Sequence, residues 1–192
     1  FRDKKIWDCG EFYRKQQGAY PVIYITFKDV KFDNWKDSLE AIRLVIRDEY
    51  MRHADSLSWD GLDVVEKDYL DRMQKGTLSN VEYTRALLNL SRMLEKYHNK
   101  KIVVLIDEYD TPIQQGHSKG FYNEVITFMR NFMSGGLKDN PALAFGVLTG
   151  ILRVSKENLF SGLNNLVVNS VLDEKYSEYF GFTSDEVTAM AA

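Results

Sequence analysis

Apolar residues recur along this chain at two spacings, one suited to strands and one to helices. Val22-Ile23-Tyr24-Ile25-Thr26-Phe27, preceded by Pro21, is short, β-branched and aromatic, and predicts a strand. Trp35, Leu39, Ile42, Ile46 and Tyr50 then recur every three or four residues and trace one face of a helix. A weaker helical pattern covers about 61–74 and stops near Gly76. Ser79, with Glu82 at the third helical position, has capping-box form; it opens a helix through Val81, Leu87, Leu90, Leu94 and Tyr97 that ends at His98-Asn99-Lys100. Ile102 to Ile106 is an uninterrupted apolar run, as in a strand buried on both faces of a parallel sheet. Gln114 to Gly120 reads as a polar loop, and Phe121, Val125, Phe128 and Phe132 as a helix closed by Gly135-Gly136. Ala144 to Thr149 is a third strand candidate and Leu166 to Leu172 a fourth; from Asp173 onward short helices rich in Tyr and Phe are expected. Strands alternating with helices predict an α/β domain, a parallel sheet flanked by helices.

The second strand runs straight into two adjacent carboxylates, Asp107 and Glu108. Acids at the carboxyl end of such a strand lie where ligands bind in open α/β sheets. This is the form of a Walker B segment, in which the first acid holds Mg²⁺, usually through water, and the second orients or deprotonates an attacking water. The usual companion, G-x-x-x-x-G-K-[ST], occurs nowhere in the chain. Thr149, at the tip of the third strand, has one donor and two acceptor lone pairs, the chemistry of a polar sensor beside a Walker B strand in P-loop ATPases of the additional-strand type. It is equally a Thr capping the turn before Gly150. Asp110 has two readings, a metal or cofactor residue behind Asp107 and the N-cap of Thr111-Pro112; a Pro after an Asp cap favours the second. Arg153, four residues past Thr149, is placed to approach a γ-phosphate or simply to pair in solvent.

Composition narrows the rest. At 192 residues, 44% hydrophobic and 28% charged, the chain has room for one domain with a sizeable core. A net charge of −3 gives no electrostatic case for non-specific nucleic-acid binding. Cys9, the single cysteine, excludes an intrachain disulfide and a cysteine metal cluster, and fits a cytoplasmic setting. No apolar run reaches membrane-spanning length. His53, His98 and His117 lack metal-ligand spacing and read as surface histidines; Ser155 lacks a G-x-S-x-G context. A restriction-type nuclease core would need an Asp followed by Glu-x-Lys on the next strand, and neither Glu95-Lys96 nor Glu157-Asn158 supplies it. The opening Phe1-Arg2-Asp3-Lys4, without an initiator Met, reads as cut from a longer chain. So does the end, where the capping box Thr183-Ser184-Asp185-Glu186 starts a helix that stops hardly two turns later.

Longer strings carry a resemblance. V-L-I-D-E-Y-D-T-P-I (104–113), F-G-V-L-T-G-I-L-R-V-S-K-E (145–157), F-S-G-L-N-N-L (160–166), L-D-E-K-Y-S-E-Y-F-G-F-T (172–183) and Y-P-V-I-Y-I-T-F-K-D-V-K (20–31) together resemble the bacterial AAA-ATPase-like family. The resemblance implies an additional-strand P-loop NTPase fold, with a phosphate-binding loop upstream of Phe1 and a PD-(D/E)XK nuclease-like domain downstream of Ala192. Residues 1–192 would then be a partial ATPase domain, with 173–192 starting a following helical segment. By carry-over Asp107 matches the Mg²⁺-coordinating acid, Glu108 the catalytic acid, Thr149 the sensor-strand residue and Arg153 the arginine after it; Asn164 and Asn165 are polar loop residues. The expected site is therefore Glu108, Thr149 and Arg153 for catalysis and Asp107 and Asp110 at the cofactor, with Mg²⁺ on Asp107. The expected ligands are Mg²⁺ and ATP in the intact protein. Nucleic acid would be reached only through the nuclease-like domain, oligomerisation is compatible with the fold, and the 192 residues alone are expected to be inactive. The rival expectation is a non-catalytic interaction or signalling module on the same fold.

Overall fold

The computed structural model describes residues 2–58, 60–151, 159, 166–170, 172–179 and 181–191. In chain order its elements are α1 (Lys5–Asp8), α2 (Glu11–Arg14), β1 (Val22–Thr26), α3 (Trp35–Arg52), α4 (Ala54–Leu57), α5 (Val64–Lys75), α6 (Asn80–Thr84), α7 (Ala86–His98), β2 (Ile102–Asp107), α8 (Thr111–Lys119), α9 (Tyr122–Leu137), β3 (Leu143–Leu148), a 3-10 helix (Glu174–Tyr179) and α10 (Ser184–Ala191). The strands form a parallel sheet in the order β1-β2-β3, so the acid-tipped strand is central. Parallel neighbours need long crossovers, which α3 to α7 and then α8 and α9 supply. The α/β class with a parallel sheet flanked by helices is as expected.

Register sorts the sheet into two unlike faces. Ile23 and Ile25 align with Val104 and Ile106; all four are buried and belong to one continuous core with Ile42, Ile46, Leu94, Val125 and Phe132 from the helices. Phe27, Phe128 and Phe132 extend this core toward Trp35 through edge-on and stacked ring contacts. On the opposite face Tyr24 aligns with Leu105 and Val147, and Val103 with Phe145. Tyr24, Phe145 and Val147 are about half exposed there, at 47%, 50% and 45%.

Several helix boundaries differ from those read off the sequence. The stretch 114–120 is not a loop but most of α8, because Gly116 is a contact rather than a breaker. A Cβ there would lie 2.5 Å from Val125 Cγ1 of α9, so glycine lets the two helices close. Gly120, at φ +84°, ends α8. Gly135 and Gly136 do not close α9; they lie inside it and face the α6–α7 junction, where a Cβ on Gly136 would sit 2.3 Å from Leu87 Cγ and one on Gly135 3.3 Å from the Thr84 carbonyl. The helix expected through 81–97 is broken at Arg85. The Glu82 carbonyl accepts from the Arg85 amide at 3.1 Å and from the Tyr69 hydroxyl at 3.2 Å in place of a continuing helical bond. Residues 166–170 form neither strand nor helix. The two predicted capping boxes and the helix stop at Gly76 fare better. Ser79 and Glu82 exchange reciprocal bonds, as do Thr183 and Glu186, and Gly76 ends α5 in the left-handed region.

The glycine-mediated approach of α9 to α7 yields a stability prediction. Gly136→Ala gains about 1 kcal/mol of helix propensity but inserts a methyl into the body of a buried Leu87. Overpacking of this kind costs about 1–3 kcal/mol, and the contact reaches Leu87 Cβ at 2.7 Å, not merely its flexible end. The net expectation is a loss of up to about 2 kcal/mol in chemical denaturation; with Leu87→Ala, itself costly by about 2–5 kcal/mol, the double variant should lose less than the sum of the two single losses.

The outer edge of β1 is closed by side chains. Glu49 of α3, 5% exposed, accepts the Tyr24 amide at 2.8 Å, and Arg52 donates to the Val22 carbonyl at 2.6 Å. These two backbone groups flank Ile23 on the side away from β2, so the ion pair stands where another strand would pair. His53, expected at the surface, has its side chain only 10% exposed and bonds Glu49 at 3.2 Å. His98 and His117 are exposed as expected. Among the described residues no helix is long and apolar enough to cross a membrane.

Candidate active site

All three strands end in polar residues at the same rim of the sheet. Thr26 pairs with Asp107 in the β1–β2 register. Thr149 extends β3 past Leu148, its amide donating to the Ile106 carbonyl at 2.9 Å and its carbonyl accepting from the Tyr109 amide at 3.2 Å. The Asp107 carboxylate is thus bracketed. Thr149 Oγ1 donates to Oδ1 at 2.5 Å and Thr26 Oγ1 to Oδ2 at 3.3 Å. The Thr149 hydroxyl is spent on this acid and not on capping the turn before Gly150. Each carboxylate oxygen keeps a further lone pair for a ligand.

Glu108 leaves the strand sharply. Its φ of +50° is a left-handed conformation rare for a side chain of its size. The turn closes with the Thr111 amide donating to the Glu108 carbonyl at 3.1 Å, and the Glu108 carboxylate accepts the Thr111 hydroxyl at 3.0 Å. Glu108 is half-buried, so its carboxylate stays reachable next to Asp107. Left-handed backbone at a rim of this kind is a form of local strain that concentrates at functional sites.

Asp110 takes the N-cap position of α8 expected of it, without the capping bond. It is 1% exposed, and its Oδ2 accepts the Gln114 side-chain amide at 2.7 Å and the Ile151 backbone amide at 3.1 Å. It lies beneath the acid rim, tied to the loop after β3. Arg153, Asn164 and Asn165 lie outside the described residues.

Thr26 is the residue that sequence reasoning missed. Its signal was legible: V-I-Y-I-T ends an apolar strand with a hydroxyl, as A-F-G-V-L-T does, and a parallel neighbour brings the two tips to the same rim. Gly150 is a second. A Cβ there would lie 2.5 Å from Asp110 Oδ1 and 2.9 Å from the Tyr109 ring, so only glycine lets the post-β3 loop settle on the acid turn.

The donor set is entirely hard oxygen, from two carboxylates and two hydroxyls, which suits Mg²⁺ and not a soft metal. Among the described residues no group of three or more His, Cys, Asp or Glu converges. Among the described residues the rim therefore offers no all-protein cage. It fits an ion held through one or two carboxylates while phosphate oxygens and waters fill the other positions.

Parts of this chain are similar to known proteins. The protein described as "Uncharacterized protein in vnfD 5'region" from Azotobacter chroococcum mcd 1 is 39% identical over 105 residues, 54% of this chain and 20% of that protein. The chain thus spans about a fifth of the length of this curated relative. No solved structure matches the chain. The profile of the AAA-ATPase-like family, described as predicted AAA-ATPase, matches residues 1–160. With an acid-tipped central strand inside a match that covers most of its length, the chain belongs to the AAA-ATPase-like family.

Proposed function

We propose that this domain binds and hydrolyses Mg-ATP in the intact protein, with its phosphate-binding loop supplied by a segment outside these 192 residues. The observation that carries the reading is the Asp107 carboxylate, braced by hydroxyls from both neighbouring strands and followed directly by Glu108. Asp107 would hold Mg²⁺, which supplies charge neutralisation on the β- and γ-phosphate oxygens when bound. Glu108 would orient the attacking water and draw off its proton as the bond from that water to the γ-phosphorus forms and the bond from the γ-phosphorus to the bridging oxygen of the departing ADP breaks. Thr149 fixes the angle of Asp107 by donating its hydroxyl to it, and its remaining lone pairs can accept a hydrogen bond from the attacking water. Arg153 is assigned to the charge that develops on the γ-phosphoryl group. The nucleotide state is passed to an attached effector, a nuclease-like domain, and any nucleic acid is engaged through that domain. The 192 residues by themselves should not turn over, since the backbone amides and lysine that cradle phosphates are not among them.

The direct test is phosphate release from ATP by the whole protein with Glu108→Gln as the control. Turnover abolished in the variant supports the enzyme, and full turnover in the variant removes Glu108 from the mechanism. Nucleotide binding without turnover in the unaltered protein would instead favour a non-catalytic module. A second expectation concerns the brace. Thr149→Val removes the donor to Asp107 at constant shape and should lower kcat about tenfold, the order of one charge-assisted hydrogen bond. Thr149→Ser should restore most of it.

A further inference from the structure

We infer that Asp110 is a positioning residue, a latch that holds the post-β3 loop against the acid turn so that Thr149 stays on Asp107. The inference rests on the ATPase reading for its kinetic consequence, but its structural part stands by itself. The two loops are joined at three points. Thr149 Oγ1 donates to Asp107, the Tyr109 amide donates to the Thr149 carbonyl at 3.2 Å, and the Ile151 amide donates to Asp110 Oδ2 at 3.1 Å. Asp110 makes the last of these bonds from a buried position, while Ile151 is 86% exposed. In that sequence stretch the only thing drawing the Ile151 amide inward, among the described contacts of that amide, is this carboxylate.

Gln114 Nε2 and the Ile151 amide converge on the same oxygen, Oδ2. The Gln114 bond runs back one turn of α8, so the helix aims that oxygen at the loop. Gly150 completes the fit, since a methyl there would meet Asp110 Oδ1 at 2.5 Å. A latch of this kind needs one well-placed acceptor oxygen and not a negative charge. That requirement separates it from a metal or phosphate-sphere role, which would need the carboxylate itself.

The test compares Asp110→Ala and Asp110→Asn in the whole protein, reading kcat, KM for ATP and hydrogen exchange at the Ile151 amide. Asp110→Ala should speed Ile151 exchange at least about tenfold and lower kcat about tenfold while moving KM less than about twofold, because Thr149 loses its placement rather than the site its binding groups. Asp110→Asn should restore both, since its carboxamide oxygen can accept the same two donors. If Asp110→Asn is as impaired as Asp110→Ala, the charge is what matters and the latch is wrong. Unchanged Ile151 exchange in Asp110→Ala, or faster exchange with unchanged kcat, overturns it equally. Should Asp110→Ala fail to fold, Gly150→Ala probes the same contact from the other side without removing a polar group. It should raise Ile151 exchange, and protection as in the parent would sink the proposal. If the unaltered protein hydrolyses no ATP, the ATPase reading falls while the exchange measurements still decide whether the latch exists.

Discussion

Glu108→Gln should lower kcat for ATP hydrolysis by the whole protein about 10²- to 10⁴-fold, the usual contribution of a positioned general base, while nucleotide affinity holds. The substitution isolates the chemistry. Gln has the size of Glu, and its side-chain oxygen can go on accepting the Thr111 hydroxyl that the carboxylate accepts at 3.0 Å. The left-handed backbone at position 108 is set by the turn between β2 and α8 and is common to both side chains. Only the capacity to take a proton and to pull on water is lost. Asp107→Ala gives the contrasting signature, weakening magnesium-dependent nucleotide binding as well as turnover. It also leaves the Thr26 and Thr149 hydroxyls without their shared acceptor. Phosphate release measured beside calorimetric ATP titration separates the two. A Glu108→Gln protein that binds ATP poorly would move Glu108 from catalysis to binding.

The sequence made the site's central strand legible because apolar residues running into carboxylates can satisfy few other arrangements. Thr149 was equally visible, as a hydroxyl ending a strand of the same class. What could not be read was the lateral order of strands. Thr26 was visible as a hydroxyl at a strand tip, but only that order links it to Asp107, 81 positions later. Glycines misled for a physical reason. Local rules treat Gly116, Gly135 and Gly136 as punctuation, whereas each permits helix axes to approach, which depends on a partner far along the chain. Asp110 holds the N-cap position read for it, but capping propensity describes a side chain's own turn, and here its carboxylate accepts from Ile151 instead of capping. The uninterrupted apolar run of β2 anticipates two covered faces, yet among the described residues one face of the sheet leaves Tyr24, Phe145 and Val147 open. Apolar surface of that extent normally meets another surface.

Glu49→Ala should cost about 3 kcal/mol of folding stability, the low end of the range for breaking a buried ion pair. The low end applies because Arg52 has half its side chain exposed and keeps its hydration when its partner is removed. The Tyr24 amide is the greater loss. It faces outward from β1 beside a helix, with Glu49 as its acceptor at 2.8 Å, and an unsatisfied buried amide costs about 1–3 kcal/mol by itself. Glu49→Gln keeps an acceptor and should cost about half as much. Acid separates charge from shape. Burial pushes the Glu49 carboxyl up, but bonds from His53, Arg52 and the Tyr24 amide outweigh it, and its pKa lies below the ordinary 4.5. A carboxylate depressed in the folded state contributes its full stabilisation above the unfolded value and loses it as pH falls through the folded one. The stability gap between the parent and Glu49→Gln should therefore be constant above pH 4.5 and close below it, measured as urea midpoints across that range. A gap that persists undiminished in acid would mean that packing, not charge, holds α3 to the sheet. The same variants report on the edge itself. With Glu49 removed the Tyr24 amide becomes available to a foreign strand and Arg52 loses the partner that holds it over the Val22 carbonyl, so Glu49→Ala should self-associate at concentrations where Glu49→Gln remains dispersed.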